Sequence, residues 1–441
     1  MSLTASSDLS AWLQHLESLH PKGQAGIELG LERIRRVKER LGQTPFCPLI
    51  LVGGTNGKGS VCAYLEAMLD RAGYKVGCYT SPHLLRYTER VRVGGQEVAE
   101  DALCAAFARV EAARGEEHLT YFEFGTLAAW EVFAAAGVEA LILEVGLGGR
   151  LDAVNVYEPD VSVVTGIALD HTDWLGPTRE HIGREKAGIF RPGKPAVCGD
   201  PKPPQSLLDQ AAALGTDLRL LGRDYGYEKT QEERLQWRYW CRFPAREGAQ
   251  AELLRRTLAY PGLRGSAQLA NASTALTALE CLRERLPVTM GAIRQGLIET
   301  ELTGRFQVLP GKPALVLDVA HNPQAAAVLA DNLGSMGFFD HTWGVVGMLA
   351  DKDIPTTLAC LKGKVDRWLL ADLAVPRGAK AEVLAEAVAG LGGEVEKFPD
   401  PAAAYQEALK RAGENDRILV FGSFHTVAGV LPRLADRHAR S

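Results

Sequence analysis

Leu49-Ile50-Leu51-Val52 leads into Gly53-Gly54-Thr55-Asn56-Gly57-Lys58-Gly59-Ser60, and apolar residues then return as Val61, Leu65, Met68, Leu69 and Ala72 before Gly73. The opening four residues read as a buried strand. The later spacing is that of a helix, started after a glycine loop and stopped by a glycine. Strand, glycine loop and helix in that order form a seat for phosphate. Glycines let successive N–H groups curl toward an anion, the helix start adds partial positive charge, and Lys58 supplies a point charge. The strict GxxxxGK[ST] pattern is not met: Val52 stands at its first glycine, and Gly59 separates Lys58 from Ser60. A glycine-rich turn without a ligand is the competing reading.

Outward from this loop, short apolar runs recur at Leu49–Val52, Val76–Tyr79, Leu141–Val145, Val161–Ile167, Ala314–Val319, Trp343–Val346, Trp368–Ala371 and Ile418–Phe421. Segments of helical period separate several of them. Strands alternating with helices predict an α/β fold built on a mostly parallel sheet covered on both faces. From about Arg219 to Arg256 the pattern turns polar and aromatic, which predicts an antiparallel excursion. Ser266 to Arg285 reads as a long helix, and the interdomain linker is expected near residues 287–303.

The chain has 441 residues, 46% hydrophobic and 23% charged, so two domains are expected. A net charge of −5 gives no broad electrostatic reason to bind nucleic acid or an anionic membrane surface. The eight cysteines form no CxxC pair and read as small buried hydrophobes of a reducing compartment. The N-terminus lacks a basic region followed by an apolar one, and the apolar stretch from Ala128 to Val145 is broken by Glu131, Gly137 and Glu139. A cytoplasmic protein with neither signal peptide nor membrane span is therefore expected.

Open α/β sheets bind ligands at the carboxyl ends of their strands. Ser81 follows Val76–Tyr79, Glu144 precedes Gly146-Leu147-Gly148-Gly149-Arg150, and His171 lies in Asp170-His171-Thr172-Asp173 after Val161–Ile167. A hard cation bridging phosphates accepts a hydroxyl and a carboxylate readily and an imidazole less commonly. Lys186, by spacing alone, is an ordinary solvated helix lysine. Asp318 and His321 end the strand at Ala314–Val319. They either meet a ribose, a metal-bound water or an amine, or Asp318 caps the next helix. Arg305 is placed to reach phosphate across a domain cleft or is a surface arginine. Gly422-Ser423-Phe424-His425 marks another glycine-containing strand end whose role spacing does not disclose.

Taken in order, Gly54-Thr55-Asn56-Gly57-Lys58-Gly59-Ser60, Ser81-Pro82-His83-Leu84, Glu144 to Ala153, Leu169-Asp170-His171-Thr172, Lys186-Ala187-Gly188 and Asp318 to Pro323 resemble the bacterial bifunctional dihydrofolate synthase/folylpolyglutamate synthases, relatives of the Mur peptide ligases. The likeness runs over nearly the whole chain. It implies an N-terminal P-loop ATPase-like domain, residues 1–292, with the pteroate or folate site, and a C-terminal Rossmann-like glutamate-ligase domain, residues 293–441. By the same resemblance Gly57, Lys58, Gly59, Ser60, Asn271, Arg305 and Asp318 bind ATP, their joint use requiring domain closure. Ser60, Ser81, Glu144 and His171 hold magnesium, and Lys186 is carbamylated on Nζ, which replaces the solvated-lysine reading. Glu28, Leu29, Gly30, Leu31, Thr120, Tyr121, Phe122, Glu123, Leu151, Asp152 and Ala153 match segments that hold dihydropteroate. Glu28 stands where the family has an aspartate, and Val154 replaces a usual threonine.

The implied activity is ATP-dependent ligation of L-glutamate to dihydropteroate and to reduced folates through an acyl phosphate. Lys58, Lys186 and His321 are the catalytic candidates, ATP and Mg2+ the cofactors, with a monovalent cation as a further candidate. A monomer acting on small molecules is expected. The alternatives are a folylpolyglutamate synthase alone, another Mur-type ligase, or a nucleotide-dependent switch; the last lacks an NKxD guanine-reading motif.

Overall fold

A computed structural model describes residues 4–19, 27–229, 236–243 and 252–434. The N-terminal stretch read for targeting and the polar–aromatic segment each lie partly outside those residues. The chain divides into two compact units. The first comprises Met1–Ala168, Thr172–Gly262 and Leu269–Thr300; the second comprises Leu169–His171, Leu263–Gln268 and Glu301–Ser441.

In the first unit, strands β1 (Leu49–Gly53), β2 (Val76–Tyr79), β3 (Val91–Val93), β4 (Gln96–Glu97), β5 (Ala140–Glu144), β6 (Val161–Val164), β7 (Pro195–Cys198) and β8 (Asp217–Leu220) form one sheet. Its order is β4-β3-β2-β5-β1-β6-β7-β8. From β2 to β8 the neighbours are parallel, and only β3 and β4 run antiparallel. Strands β1, β2, β5 and β6 are buried along their whole length, as expected for a parallel sheet with helices on both faces. That burial explains why they read as unbroken apolar runs rather than alternating ones. The run expected to reach Ile167 ends as strand at Val164, because Gly166 turns its carbonyl to the N–H groups of Thr55 and Asn56 at 2.7 and 3.3 Å.

Strands β9 (Tyr225–Lys229), β10 (Gln236–Phe243) and β11 (Glu252–Ala259) form the antiparallel excursion, in the order β11-β10-β9. Trp237, Tyr239 and Cys241 alternate inward along β10. Tyr225 and Tyr239 place their hydroxyls on Thr274 and Thr277 of the helix Gln268–Cys281, at 3.0 and 2.9 Å. That helix stops at Cys281, short of the expected Arg285, and tightens into turns closed by the Leu282 carbonyl. Residues 287–303, expected to link two domains, contain the helix Met290–Glu299, which packs on the helix Lys58–Arg71. A Cβ at Gly296 would lie 2.7 Å from the Met68 backbone, so glycine permits the close approach.

In the second unit, β12 (Gln307–Leu309), β13 (Ala314–Leu317), β14 (Thr342–Val346), β15 (Arg367–Ala371), β16 (Glu394–Phe398) and β17 (Arg417–Phe421) are ordered β12-β13-β17-β14-β15-β16. All pairs are parallel except β12 with β13. Both sheets are thus the mostly parallel, helix-covered kind. Among the described residues no helix is long and apolar enough to cross a membrane. All eight cysteines are free thiols.

Candidate active site

The glycine loop leaves β1 at the middle of its sheet and enters the helix Lys58–Arg71 through Gly57, whose φ of +98° suits glycine. A Cβ at Gly57 would stand 2.6 Å from Asn271 Oδ1, so the turn and Asn271 are fitted to each other. Gly54 is tighter still: its φ is +137°, and a Cβ there would lie 1.8 Å from Thr165 Oγ1. Thr55 Oγ1 donates to the Ala168 carbonyl at 3.2 Å and accepts from the Ala168 N–H at 3.1 Å, which ties the loop to the segment after β6.

Two lysines converge on one carbonyl. Lys58 Nζ curls back to donate to the Gly54 and Thr55 oxygens at 3.2 and 3.3 Å, and Lys186 Nζ donates to the same Gly54 oxygen at 2.9 Å. Lys186 is only 3% exposed, so the solvated-lysine reading is wrong for this fold. The helix Arg179–Ala187 that carries it passes under Gly149, where a Cβ would strike the Glu185 carbonyl.

Ser60 and Glu144 are buried, and Glu144 ends β5 opposite Val52 of β1. Its Oε2 accepts the Ser81 N–H at 3.2 Å, so Ser81 and Glu144 meet at neighbouring strand ends beside the loop. Among the described residues no three His, Cys, Asp or Glu side chains converge to hold a metal. A magnesium ion carried in on ATP phosphates needs only one or two carboxylate or hydroxyl ligands, and Ser60, Ser81 and Glu144 fit that donor set.

His171 is held differently. Residues 169–171 belong to the second unit, and His171 has a left-handed φ of +50°. Lys352 Nζ donates to Asp170 Oδ1 at 2.6 Å and lies 3.3 Å from His171 Nε2, while His321 Nε2 is 3.4 Å from Asp170 Oδ2. Burial, with Lys352 alongside, pushes the His171 imidazole down to about 4. Burial raises the Asp170 carboxyl, but the His321 hydrogen bond and the Lys352 charge outweigh it and hold the group well below its ordinary range. Lys352 was not found from sequence, though it sits in Met348-Leu349-Ala350-Asp351-Lys352 just beyond β14, the kind of strand end searched elsewhere.

Also in the second unit, Asp318 is buried and accepts from the Phe306 and Ala320 N–H groups at 2.8 and 2.7 Å; burial raises its carboxyl above the ordinary value. It does not cap the next helix. Asn322 does, accepting from Ala325 N at 2.9 Å at the start of Pro323–Ser335. Arg305 lies over the Phe424 ring, 5.0 Å from its centroid.

The segments expected to hold a pterin meet in the first unit. Thr120 and Glu123 form a reciprocal cap at the start of the helix Tyr121–Ala136. Arg33 joins Glu28 to Glu123, donating to Glu123 Oε2 at 2.8 Å. Glu123 Oε1 is buried with no hydrogen-bond partner, and burial raises this carboxyl despite Arg33. Phe122 fills the space above Gly146 and stacks on Tyr79 at 5.8 Å. Asp152 accepts from Leu147 N and Val154 N at 2.8 and 3.0 Å, and burial pushes its carboxyl up to about 7. Leu29, Gly30, Leu31 and Leu151 are half-buried, and Ala153 is buried.

Two family profiles match: the Mur ligase middle domain over residues 52–200 and the Mur ligase glutamate ligase domain over residues 304–424. The dihydrofolate synthase/folylpolyglutamate synthase of Escherichia coli K12 is 48% identical over 428 residues, covering 97% of this chain and 96% of that protein. The solved structure of E. coli FolC in complex with DHPP and ADP superposes with a TM-score of 0.90 at 46% identity, covering 99% of this chain and 100% of that one. A bifunctional folylpolyglutamate synthase/dihydrofolate synthase with Mn, AMPPNP and L-glutamate bound gives 0.88 at 48% identity, with coverage of 99% and 100%.

Proposed function

This chain belongs to the dihydrofolate synthase/folylpolyglutamate synthase family of Mur ligases, and from that premise we propose that it joins L-glutamate to dihydropteroate and to reduced folates at the expense of ATP. The observation that carries the reading is the glycine loop with Lys58 and Lys186 converging on Gly54 O, beside Ser60 in the first turn of the helix Lys58–Arg71 and Glu144 at the end of β5. Gly57, Lys58, Gly59, Ser60, Asn271, Arg305 and Asp318 are assigned to ATP. Ser60, Ser81, Glu144 and His171 are assigned to the divalent ion.

A carboxylate is a poor acyl donor because its leaving group would be oxide; phosphorylation supplies a better one. Lys58 and the loop N–H groups are placed to gather charge on a terminal phosphoryl group as the acid attacks it in line. Bound magnesium supplies further charge neutralisation on the phosphate oxygens. The glutamate amine then attacks the acyl carbon, its proton passing to His321 or a carboxylate, and the acyl C–O bond breaks to release inorganic phosphate. Lys186 is assigned a carbamate, whose N–H can still donate to Gly54 O while its oxygens present negative charge toward a cation.

Glu28 to Leu31, Thr120 to Glu123 and Leu151 to Ala153 are assigned to the pteroate or folate. The buried unpartnered Glu123 Oε1 supports this, being an acceptor in want of a donor. The first unit, which runs to Thr300 rather than to residue 292, is assigned to the pteroate and most of the ATP contacts, and Glu301–Ser441 to the ligation of glutamate together with Arg305 and Asp318. Eight free thiols suit the reducing cytoplasm, where we place a monomer acting on small molecules and on neither nucleic acid nor membrane.

The test is turnover with ATP and L-glutamate, with dihydropteroate and tetrahydrofolate supplied separately. Both should be extended, and 18O from a labelled acid should appear in the released phosphate. Turnover of tetrahydrofolate alone would narrow the assignment to folylpolyglutamate synthase; unlabelled phosphate would remove the acyl phosphate.

A further inference from the structure

Two arginines lie two residues apart in the first unit and differ in one respect. Arg92 has its carboxylate: Nε and Nη2 donate to Glu66 at distances from 2.7 to 3.1 Å. Arg90, only 8% exposed, has none. Its Nε donates to His83 Nδ1 at 2.8 Å, and its guanidinium lies over the rings of Tyr87 and Tyr121, 5.4 and 5.7 Å from their centroids. Among the described residues no carboxylate lies within ion-pair distance of it, and the polar group that its side chain approaches besides His83 is the Tyr79 phenol.

Burying a charge without its counter-ion is among the costlier arrangements in a fold. Here the surroundings fix the guanidinium rather than neutralise it. His83 holds Nε, the two tyrosines hold the plane, and among the described residues no anion meets the fork. A second group stands nearby: Tyr79 Oη is buried and makes no hydrogen bond of full geometry, with Thr126 and Arg90 as its polar neighbours. Burial raises its phenol, and the Arg90 charge opposes that rise. Gly125 makes room for this phenol; a Cβ there would strike Tyr87 Oη and lie 3.1 Å from Tyr79 Oη. Tyr79 stacks on Phe122, one residue from Glu123, whose Oε1 lacks a partner.

We infer that Arg90 is the residue that grips a carboxylate of the acid substrate, an arylcarboxylic acid whose ring lies against Tyr79 and Phe122 and whose anion completes the Arg90 fork. The inference rests on the proposed function and adds to it the group that recognises the acid. A bidentate guanidinium–carboxylate pair is directional as well as strong, so it fixes where the acid points as well as how tightly it is held.

Two carboxylates are candidates: the reacting one of dihydropteroate, and the α-carboxylate that only glutamylated folates carry. The experiment is the KM of Arg90→Gln and Arg90→Lys for dihydropteroate and for tetrahydrofolate, alongside the KM for ATP and glutamate and the melting temperature. A rise in acid KM of roughly 30- to 100-fold, with KM for ATP and glutamate within about twofold of wild type, is expected. A rise for both acids assigns Arg90 to the reacting carboxylate, aryl in dihydropteroate and γ in tetrahydrofolate; a rise for dihydropteroate alone assigns it to the aryl carboxylate, which tetrahydrofolate carries only as an amide; and a rise for tetrahydrofolate alone assigns it to the α-carboxylate. Unchanged KM for both acids overturns the inference.

Should the glutamine variant fail to fold, the lysine variant decides: it keeps the charge and loses the fork. With melting and ADP affinity retained, a raised acid KM supports the role and an unchanged one refutes it. Wild-type protein that turns over neither acid would instead sink the proposed function, a result separable from failure at Arg90.

Discussion

Gly54→Ala puts a methyl group where the loop has none to spare. The backbone φ of +137° is nearly closed to any side chain, which costs about 1–3 kcal/mol. The new Cβ would also stand 1.8 Å from Thr165 Oγ1 and 2.9 Å from the Thr165 Cβ and N. Thr165 cannot retreat freely, since its N–H and hydroxyl are both on the Gly53 carbonyl, at 2.9 and 3.2 Å. Relief of such overpacking costs about 1–3 kcal/mol more. The variant should therefore lose roughly 2–6 kcal/mol, a large part of an ordinary folding free energy. Any relaxation swings the Gly54 carbonyl that receives Lys58 and Lys186, so nucleotide affinity should fall with stability. Urea unfolding and titration with a fluorescent ATP analogue read the two effects. Thr165→Gly in the same chain removes the Oγ1 and Cβ contacts but not the strained φ, so the pair should couple by about 1–3 kcal/mol. A Gly54→Ala protein within about 0.5 kcal/mol of wild type, with full nucleotide affinity, would refute the steric reasoning.

Lys58→Ala should abolish phosphoryl transfer while melting near the wild-type temperature, since the side chain touches loop carbonyls and no core; retained turnover in a folded variant would count against it. Glu144→Gln should raise the magnesium concentration needed for half-maximal activity, and an unmoved requirement would take Glu144 out of the metal site. Asp152→Asn turns an amide toward one of two N–H donors, Leu147 or Val154, and should cost about 1–3 kcal/mol in chemical denaturation. Asp416 accepts from Trp343 Nε1, Gly413 N and His341 N; burial opposes these bonds, but they hold its carboxyl below the ordinary value. A depressed folded pKa contributes stability above the unfolded value of about 4 that is lost as pH falls through the folded one, so the second unit should weaken below about pH 4. Asp416→Asn should flatten that acid slope, and an identical slope in the variant would assign it to another group.

The central strands were legible because burial on both faces makes them continuous apolar words; Val76–Tyr79 matches β2 residue for residue. Edge elements were not. Strand β16, Glu-Val-Glu-Lys-Phe, carries three charges in five residues, and β7 opens on a proline, so neither stands out from a loop. The helix Met290–Glu299 was passed over as linker because proline and polar residues flank it. The phosphate loop could be read directly because its chemistry is contiguous. The side chains around Asp170 could not, since His321 and Lys352 reach it from 151 and 182 residues further along the chain, a separation no local pattern encodes. Thr120-Tyr121-Phe122-Glu123 carried an unread local signal as well, the Thr-x-x-Glu helix cap that Glu123 also forms. Arg90 escaped because a buried arginine looks like any other until its missing partner is noticed.

Because β1 lies fourth from one edge and fifth from the other, flanked by β5 and β6 and sealed by helices, its amides should be among the slowest in the molecule to trade hydrogen for deuterium. The anion-binding turn thus grows out of a region expected to open late, whereas the short antiparallel edge at β3 and β4 should exchange sooner. Nucleotide capture then requires no ordering of its own foundation: that loss of chain entropy is settled when the protein folds, before any ligand arrives.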